Sequence, residues 1–260
     1  DFYQNAIRNA SLSDVEKYTH NISFVGSLYT EKCPYDKVKN LSPKISGYLH
    51  GIMKAQEKIY GYYFVEELLS DELVDVKNYD GYYLAGEEDL LTKKRTLAQF
   101  YIGNKITAME RVDTFKYLSE KFEVDIYTAS DTKEIPKLKN HGTIMTHTQM
   151  PIVFNKSTIN LNPTSKPIRS GIPLRIFDLL ACEGFVLCNY QSDLLNEFLQ
   201  GEELDVYSSI EELEEKIRYY LSHTDVCREI AHNGYEKVSK RHTYPLRLEQ
   251  MFRLGEHRRR

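Results

Sequence analysis

Between residues 158 and 188 the chain reads as a strand (158–162), a loop rich in Pro, Ser and Gly, a helix (174–182) and a second strand (185–188). Short apolar runs alternating with helical periods restrict a chain to an open parallel sheet with helices on both faces. The alternation extends in both directions. Residues 21–26, 124–128 and 204–207 read as strands, and 143–146 as a weaker one. The expectation is a Rossmann-like α/β fold of about six strands. Gly184 is placed to close a helix at C′ before the strand at Phe185. Ser208 and Ser209, followed by Glu211 and Glu212, form a capping-box pattern for a helix over 210–221.

Residues 1–20 read as a polar lead-in between domains, 21–253 as one sheet domain, and 254–260 as a tail. Within the domain, 34–122 is a mainly helical insertion after the first strand. Its last helix, about 107–122, turns Val112, Phe115 and Leu118 inward. The insertion's Tyr60, Tyr62, Tyr63, Tyr82 and Tyr83 suit either core packing or an interface. A net charge of −4 argues against a global field for nucleic acid or an anionic membrane. No apolar run is long enough to span a bilayer, and Asp1-Phe2-Tyr3-Gln4 does not open a signal peptide. Arg258-Arg259-Arg260 reads as a terminal tail. Cys33, Cys182, Cys188 and Cys227 show no metal-ligand spacing, so reduced thiols in a cytoplasmic protein are expected.

The loop carries the chemistry. From Lys156 to Phe177 there are four basic residues and no acid, in a chain where 38 of 260 residues are acidic. A window that long holds about three acids on average. Pro173 fits the first helical turn, leaving the N–H groups of Leu174 and Arg175 at the positive end of a helix dipole. Arg169 and Arg175 add bidentate contacts for phosphate oxygens, and Asp178, a turn further on, suits sugar hydroxyls. The same residues also fit an ordinary surface loop with an acid near a helix start.

Four segments together resemble the C-terminal domain of spore-maturation CgeB-type glycosyltransferases, of the group-1 type with two facing Rossmann-like domains (the GT-B fold). They are Ile-Asn-Leu-Asn (159–162), Ile-Arg-Ser-Gly-Ile-Pro-Leu-Arg-Ile-Phe-Asp-Leu-Leu-Ala (168–181), Gly-Phe-Val-Leu (184–187) and Gly-Tyr-Glu-Lys-Val…His-Thr-Tyr (234–244). The first strand, running into Gly26-Ser27, fits the same domain. The resemblance covers about 21–253 and is weak over 34–100. It implies a nucleotide-diphosphate sugar as donor substrate, transferred to an acceptor hydroxyl, with no further cofactor and no metal. Arg169, Ser170, Gly171, Leu174 and Arg175 match the diphosphate loop, with Gly26 and Ser27 contributing from the first strand. Asn162, Thr164 and Ser165 are further donor contacts, and Asp178 is the ribose acid. The first acid of the family's pair has no counterpart, since Ser170 and Gly171 occupy its place, which leaves the sugar open. No catalytic residue is named.

Thr146 and His147 are placed to approach the base or sugar, although a lone histidine also fits a structural role. His141 reads as a loop histidine, and Glu110 and Arg111 as solvated charges, although the family they resemble often has a polar cluster at that place. The acids of 125–131 lack the spacing of a metal site. The resemblance also implies an N-terminal acceptor domain, which this sequence does not contain, so a fragment of a longer enzyme is expected. The alternative is a non-catalytic nucleotide- or phosphosugar-binding module with the Tyr-rich block as its interface.

Overall fold

The computed structural model describes residues 2–74 and 92–257. Tyr82, Tyr83 and Arg258–Arg260 lie outside the described residues. Strands β1 (Ile22–Val25), β2 (Asp125–Tyr127), β3 (Lys139–Asn140), β4 (Ile159–Asn162), β5 (Val186–Asn189) and β6 (Asp205–Tyr207) form one sheet. Every pairing is parallel and the order is β3-β2-β1-β4-β5-β6. This is the Rossmann-like α/β fold the alternation predicts.

Helices α1 (Phe2–Arg8) and α2 (Leu12–Tyr18) precede β1. Between β1 and β2 come α3 (Pro43–Glu57), the single turns α4 (Val65–Leu68), α5 (Asp71–Val74) and α6 (Lys93–Thr96), a π-helical stretch (Leu97–Ile102) and α7 (Gly103–Ser119). Helix α8 (Met150–Lys156) leads into β4, α9 (Leu174–Ala181) joins β4 to β5, and α10 (Ser192–Glu197) joins β5 to β6. Helices α11 (Ile210–Ser222), α12 (Thr224–Arg241) and α13 (Tyr244–His257) complete the described chain. As the capping pattern predicts, Ser209 caps α11 by accepting from the Glu212 N–H.

Both faces of the sheet are buried, as parallel sheets require. Ile22, Phe24, Ile126, Ile159 and Leu187 pack with Phe115 and Leu118 of α7 and Leu213 and Ile217 of α11. Val186, Cys188 and Val206 face α8, α9 and α12 through Phe154, Ile176, Leu180 and Val238. A third cluster, built on Leu49, Ile52, Leu97, Tyr101 and Ile106, holds the helical insertion together.

Two expectations are corrected. Residues 143–146 are not a strand: the third strand is the polar pair Lys139–Asn140, after which Gly142 (φ 76°) turns the chain off the sheet edge. Ile144 is then half-buried against the α8 side instead. Gly184 is not the left-handed residue after α9; Glu183 is (φ 56°). Gly184 is needed for space, since a Cβ there would lie 2.5 Å from the Phe154 carbonyl oxygen.

Gly234 of α12 is tighter still. A Cβ would fall 2.4 Å from the Glu203 carbonyl oxygen and 2.7 Å from Leu180 Cδ2. Gly234→Ala is therefore expected to destabilise by about 1–3 kcal/mol through overpacking, despite alanine's better helix propensity. A chemical-denaturation midpoint at or above the wild-type value would refute this.

Candidate functional site

In a sheet of this order the direction in which strands are added reverses between β1 and β4, and the crevice beyond their carboxyl ends is where such folds bind ligands. Arg111 of α7 spans that crevice. Its guanidinium donates to the carbonyls of Ser27 after β1 and Pro163 after β4, and stacks over Tyr29 at 4.8 Å. Arg111 and its neighbour Glu110 are buried, at 9% and 3% exposure, so reading them as solvated charges was mistaken. Helical spacing back from Leu118 and Phe115 passes through Arg111, and that periodicity was the available signal.

The loop after β4 is cationic in sequence but compensated in space. Lys166 lies 3.3 Å from Glu110, Arg169 lies 3.3 Å from Glu66, and the Gly171 N–H donates to Asp193 at 2.6 Å. Gly171 holds φ 82°, which explains a glycine there. Lys166 is locked: its ammonium sits 3.1 Å from the Tyr60 ring centroid and donates to the Ile59 carbonyl. Arg169 is exposed and its pair is solvent-screened, so it remains available to a ligand.

Thr164, Ser165, Arg169, Ser170 and Gly171 line a cavity of about 180 Å³ between this loop, residues 59–63 and residues 189–193. The other expected residues lie outside it. Asn162 and Thr164 are bonded to each other, and Asn189 clamps Thr164 by accepting from its N–H and donating to its carbonyl. The Ser165 hydroxyl meets Thr107 at 2.9 Å. These polar groups build the edge of the sheet. Gly26 donates its N–H to Tyr127, and the Ser27 hydroxyl donates to Glu31 at 2.6 Å. Lys166, Asn189 and Asp193 were not singled out in the sequence because their partners are remote in it.

Arg175 and Asp178 form a second group, at the start of α9. Pro173 stands at the N-cap, which makes no side-chain cap hydrogen bond. The N–H groups of Leu174 and Arg175 have no intrahelical partner, whereas that of Ile176 donates to the Pro173 carbonyl. Arg175 lies against the Met150 sulfur and over the Phe154 ring at 5.5 Å, with its guanidinium 3.8 Å from Asp178. Tyr3 of α1 donates to Asp178 at 3.0 Å. Burial first, and Asp178 second, push the Tyr3 phenol up to about 12. Leu174 and Thr146 are exposed, and the exposed His147 makes an edge contact with Phe2 at 5.3 Å. The lead-in thus lies over the groups expected to meet nucleotide.

The family described as Glycosyl transferase-like matches residues 109–253. No curated protein matches the chain. Among solved structures, TarM is similar at a TM-score of 0.44 and 12% identity, over 55% of this chain and 31% of its own. A variant of S. aureus TarM in complex with fondaparinux, alpha-GlcNAc-glycerol and UDP gives 0.45 and 11%, over 55% and 31%. The C-terminal domain of the glycosyl transferase group 1 family protein LpcC from Francisella tularensis gives 0.41 and 12%, over 51% and 77%. This chain spans 31% of the length of the TarM chain. The family match runs from α7 through most of α13 and takes in the basic loop and α9; more than half of the sequence lies within it, and the chain belongs to the Glycosyl transferase-like family.

Proposed function

We propose that this chain is the donor domain of a CgeB-type glycosyltransferase, binding a nucleotide-diphosphate sugar beyond the carboxyl edge of the sheet. The observation that carries the reading is the uncapped start of α9, flanked by Arg175 and Asp178 within the matched region. The peptide N–H groups of Leu174 and Arg175, the helix dipole and a neighbouring guanidinium supply the chemistry of a diphosphate grip. Asp178 then takes the ribose hydroxyls, and Arg169 the far side of the diphosphate.

In the transfer, the bond between the sugar and the diphosphate breaks as the acceptor hydroxyl attacks. Negative charge grows on the departing diphosphate, where preorganised cations and N–H groups lower the barrier. In this reading the protein's own cations neutralise that charge, with no metal at the diphosphate. The acceptor site is proposed to come from a second Rossmann-like domain. The exposed apolar residues of α13, Tyr244, Leu248, Met251 and Phe252, offer a surface that such a domain can cover. No helix among the described residues is long and apolar enough to cross a membrane.

Calorimetric titration with UDP-, GDP-, ADP- and TDP-linked sugars tests the reading. One of them is expected to bind with unit stoichiometry. Arg175→Ala should weaken it about ten- to a hundredfold, the range for losing a charge-assisted hydrogen bond of about 1.5–3 kcal/mol. Tyr3→Phe should tighten it about threefold or more, because the Tyr3 hydroxyl no longer competes for Asp178. Binding without turnover in a protein carrying the acceptor domain would favour a non-catalytic module. No binding of any nucleotide sugar would overturn the proposal.

A further inference from the structure

Away from the basic loop, three side chains that the sequence keeps far apart meet against β2. His20 lies in the link between α2 and β1, Asp125 opens β2, and His141 directly follows β3. His20 Nδ1 is 3.4 Å from Asp125 Oδ2, and His141 Nε2 is 2.7 Å from Asp125 Oδ1. One ligand atom from each residue lies within 4.8 Å of the other two. The spacing of Asp125 and Asp131 gave no hint of this, because the partners are histidines brought in by two other elements.

We propose that His20, Asp125 and His141 bind a divalent cation of the zinc class. Two imidazole nitrogens and one carboxylate oxygen are a borderline-soft donor set that suits Zn²⁺ better than Mg²⁺ or Ca²⁺. Tetrahedral bonds of about 2.0–2.2 Å set donor atoms about 3.4 Å apart. The two nitrogens now face different oxygens of Asp125, at 3.4 Å and 2.7 Å, so binding needs the carboxylate to turn until one oxygen serves both, within the 4.8 Å that spans the three donor atoms. The surroundings fix the rings. Tyr127 holds the other nitrogen of His20 at 2.8 Å, leaving Nδ1 turned to Asp125. Such an outer partner is what sets ring orientation at imidazole metal sites. The Tyr127 ring also stacks on His141, with centroids 5.0 Å apart and planes at 25°. His20 and Asp125 are almost enclosed, whereas the His141 side chain is 39% exposed. That exposure gives the ion a route in and leaves a fourth position for water. An ion there ties the end of the lead-in to β2 and to the residue that follows the edge strand β3. It is separate from the donor site, and the inference does not depend on the proposed transferase activity.

The full chain, freed of metal by chelation, is titrated with Zn²⁺ and, separately, with Co²⁺ as a spectroscopic probe. One equivalent is expected to bind, with visible Co²⁺ absorption of a low-coordinate site, and anomalous diffraction at the zinc edge should place the ion between the three side chains. His141→Ala should abolish one-equivalent binding, and a thermal unfolding transition of the metal-free variant that stays cooperative, with Asp125 still held by His20, separates loss of the ion from loss of the fold. Tyr127→Phe should weaken binding about tenfold. No binding, or one-equivalent binding unchanged in His141→Ala, would overturn the site and leave a hydrogen-bonded His-Asp-His cluster.

Discussion

Glu110→Ala is expected to destabilise the protein by about 3–5 kcal/mol, the range for removing one partner of a buried ion pair. Glu110 is 3% and Lys166 is 9% exposed, and their charged atoms are 3.3 Å apart. Burial pushes the Glu110 carboxyl up and the Lys166 ammonium down, while each partner opposes the other's shift. Neither Glu110 oxygen makes a hydrogen bond of good geometry, and of the groups that oppose the rise in its carboxyl Lys166 comes first, ahead of Arg111 and Tyr60. Without Glu110, Lys166 is left buried with the Ile59 carbonyl, the Tyr60 ring and the weaker attraction of Glu57. The double variant Glu110→Met with Lys166→Met removes both charges and should recover most of the loss. Denaturation midpoints of the two single variants and the double decide the matter. Additive losses would show that the two charges do not support each other.

Arg111→Met is the second large effect, with an expected loss of about 3–5 kcal/mol together with loss of donor binding. The guanidinium bonds the Ser27 and Pro163 carbonyls at once, across the reversal between β1 and β4. Its removal strands the buried Pro163 carbonyl, at about 1–3 kcal/mol, and the half-buried Ser27 carbonyl at less, and takes the cation from the faces of Tyr29 and Phe24. Methionine restores some packing against Tyr29 and Phe24 but reaches neither oxygen. Arg111→Lys should rescue little, because one ammonium cannot span both loops. Hydrogen exchange is expected to accelerate at residues 26–28 and 162–165 while β5 and β6 stay protected. Uniform acceleration would instead mean that Arg111 supports the whole fold and has no special role at the crevice.

The sheet was legible because its strands are apolar runs buried on both sides, and five of the six stand where such runs occur. The exception is β3, whose Lys139 and Asn140 pair at an exposed edge without any apolar signal. The site was legible only in part. Local spacing located the loop, α9, Arg175 and Asp178, yet it could not show which charges were already taken. Glu110, Glu66 and Asp193 reach the loop from three other segments, and Tyr3 reaches Asp178 from the lead-in. A window free of acids in sequence is therefore not free of them in space. That moves the expected ligand grip from the whole loop to Arg169 and the start of α9. The helical insertion was legible as helices, but only the fold shows residues 59–63 facing the loop across a cavity.

A crystal soaked with the nucleotide diphosphate that binds best in solution tests the central claim most directly. The account predicts diphosphate density against the first N–H groups of α9 and Arg175, with the ribose on Asp178 and the Tyr3 hydroxyl displaced from it. Nucleotide bound elsewhere, with Tyr3 still on Asp178, would contradict it.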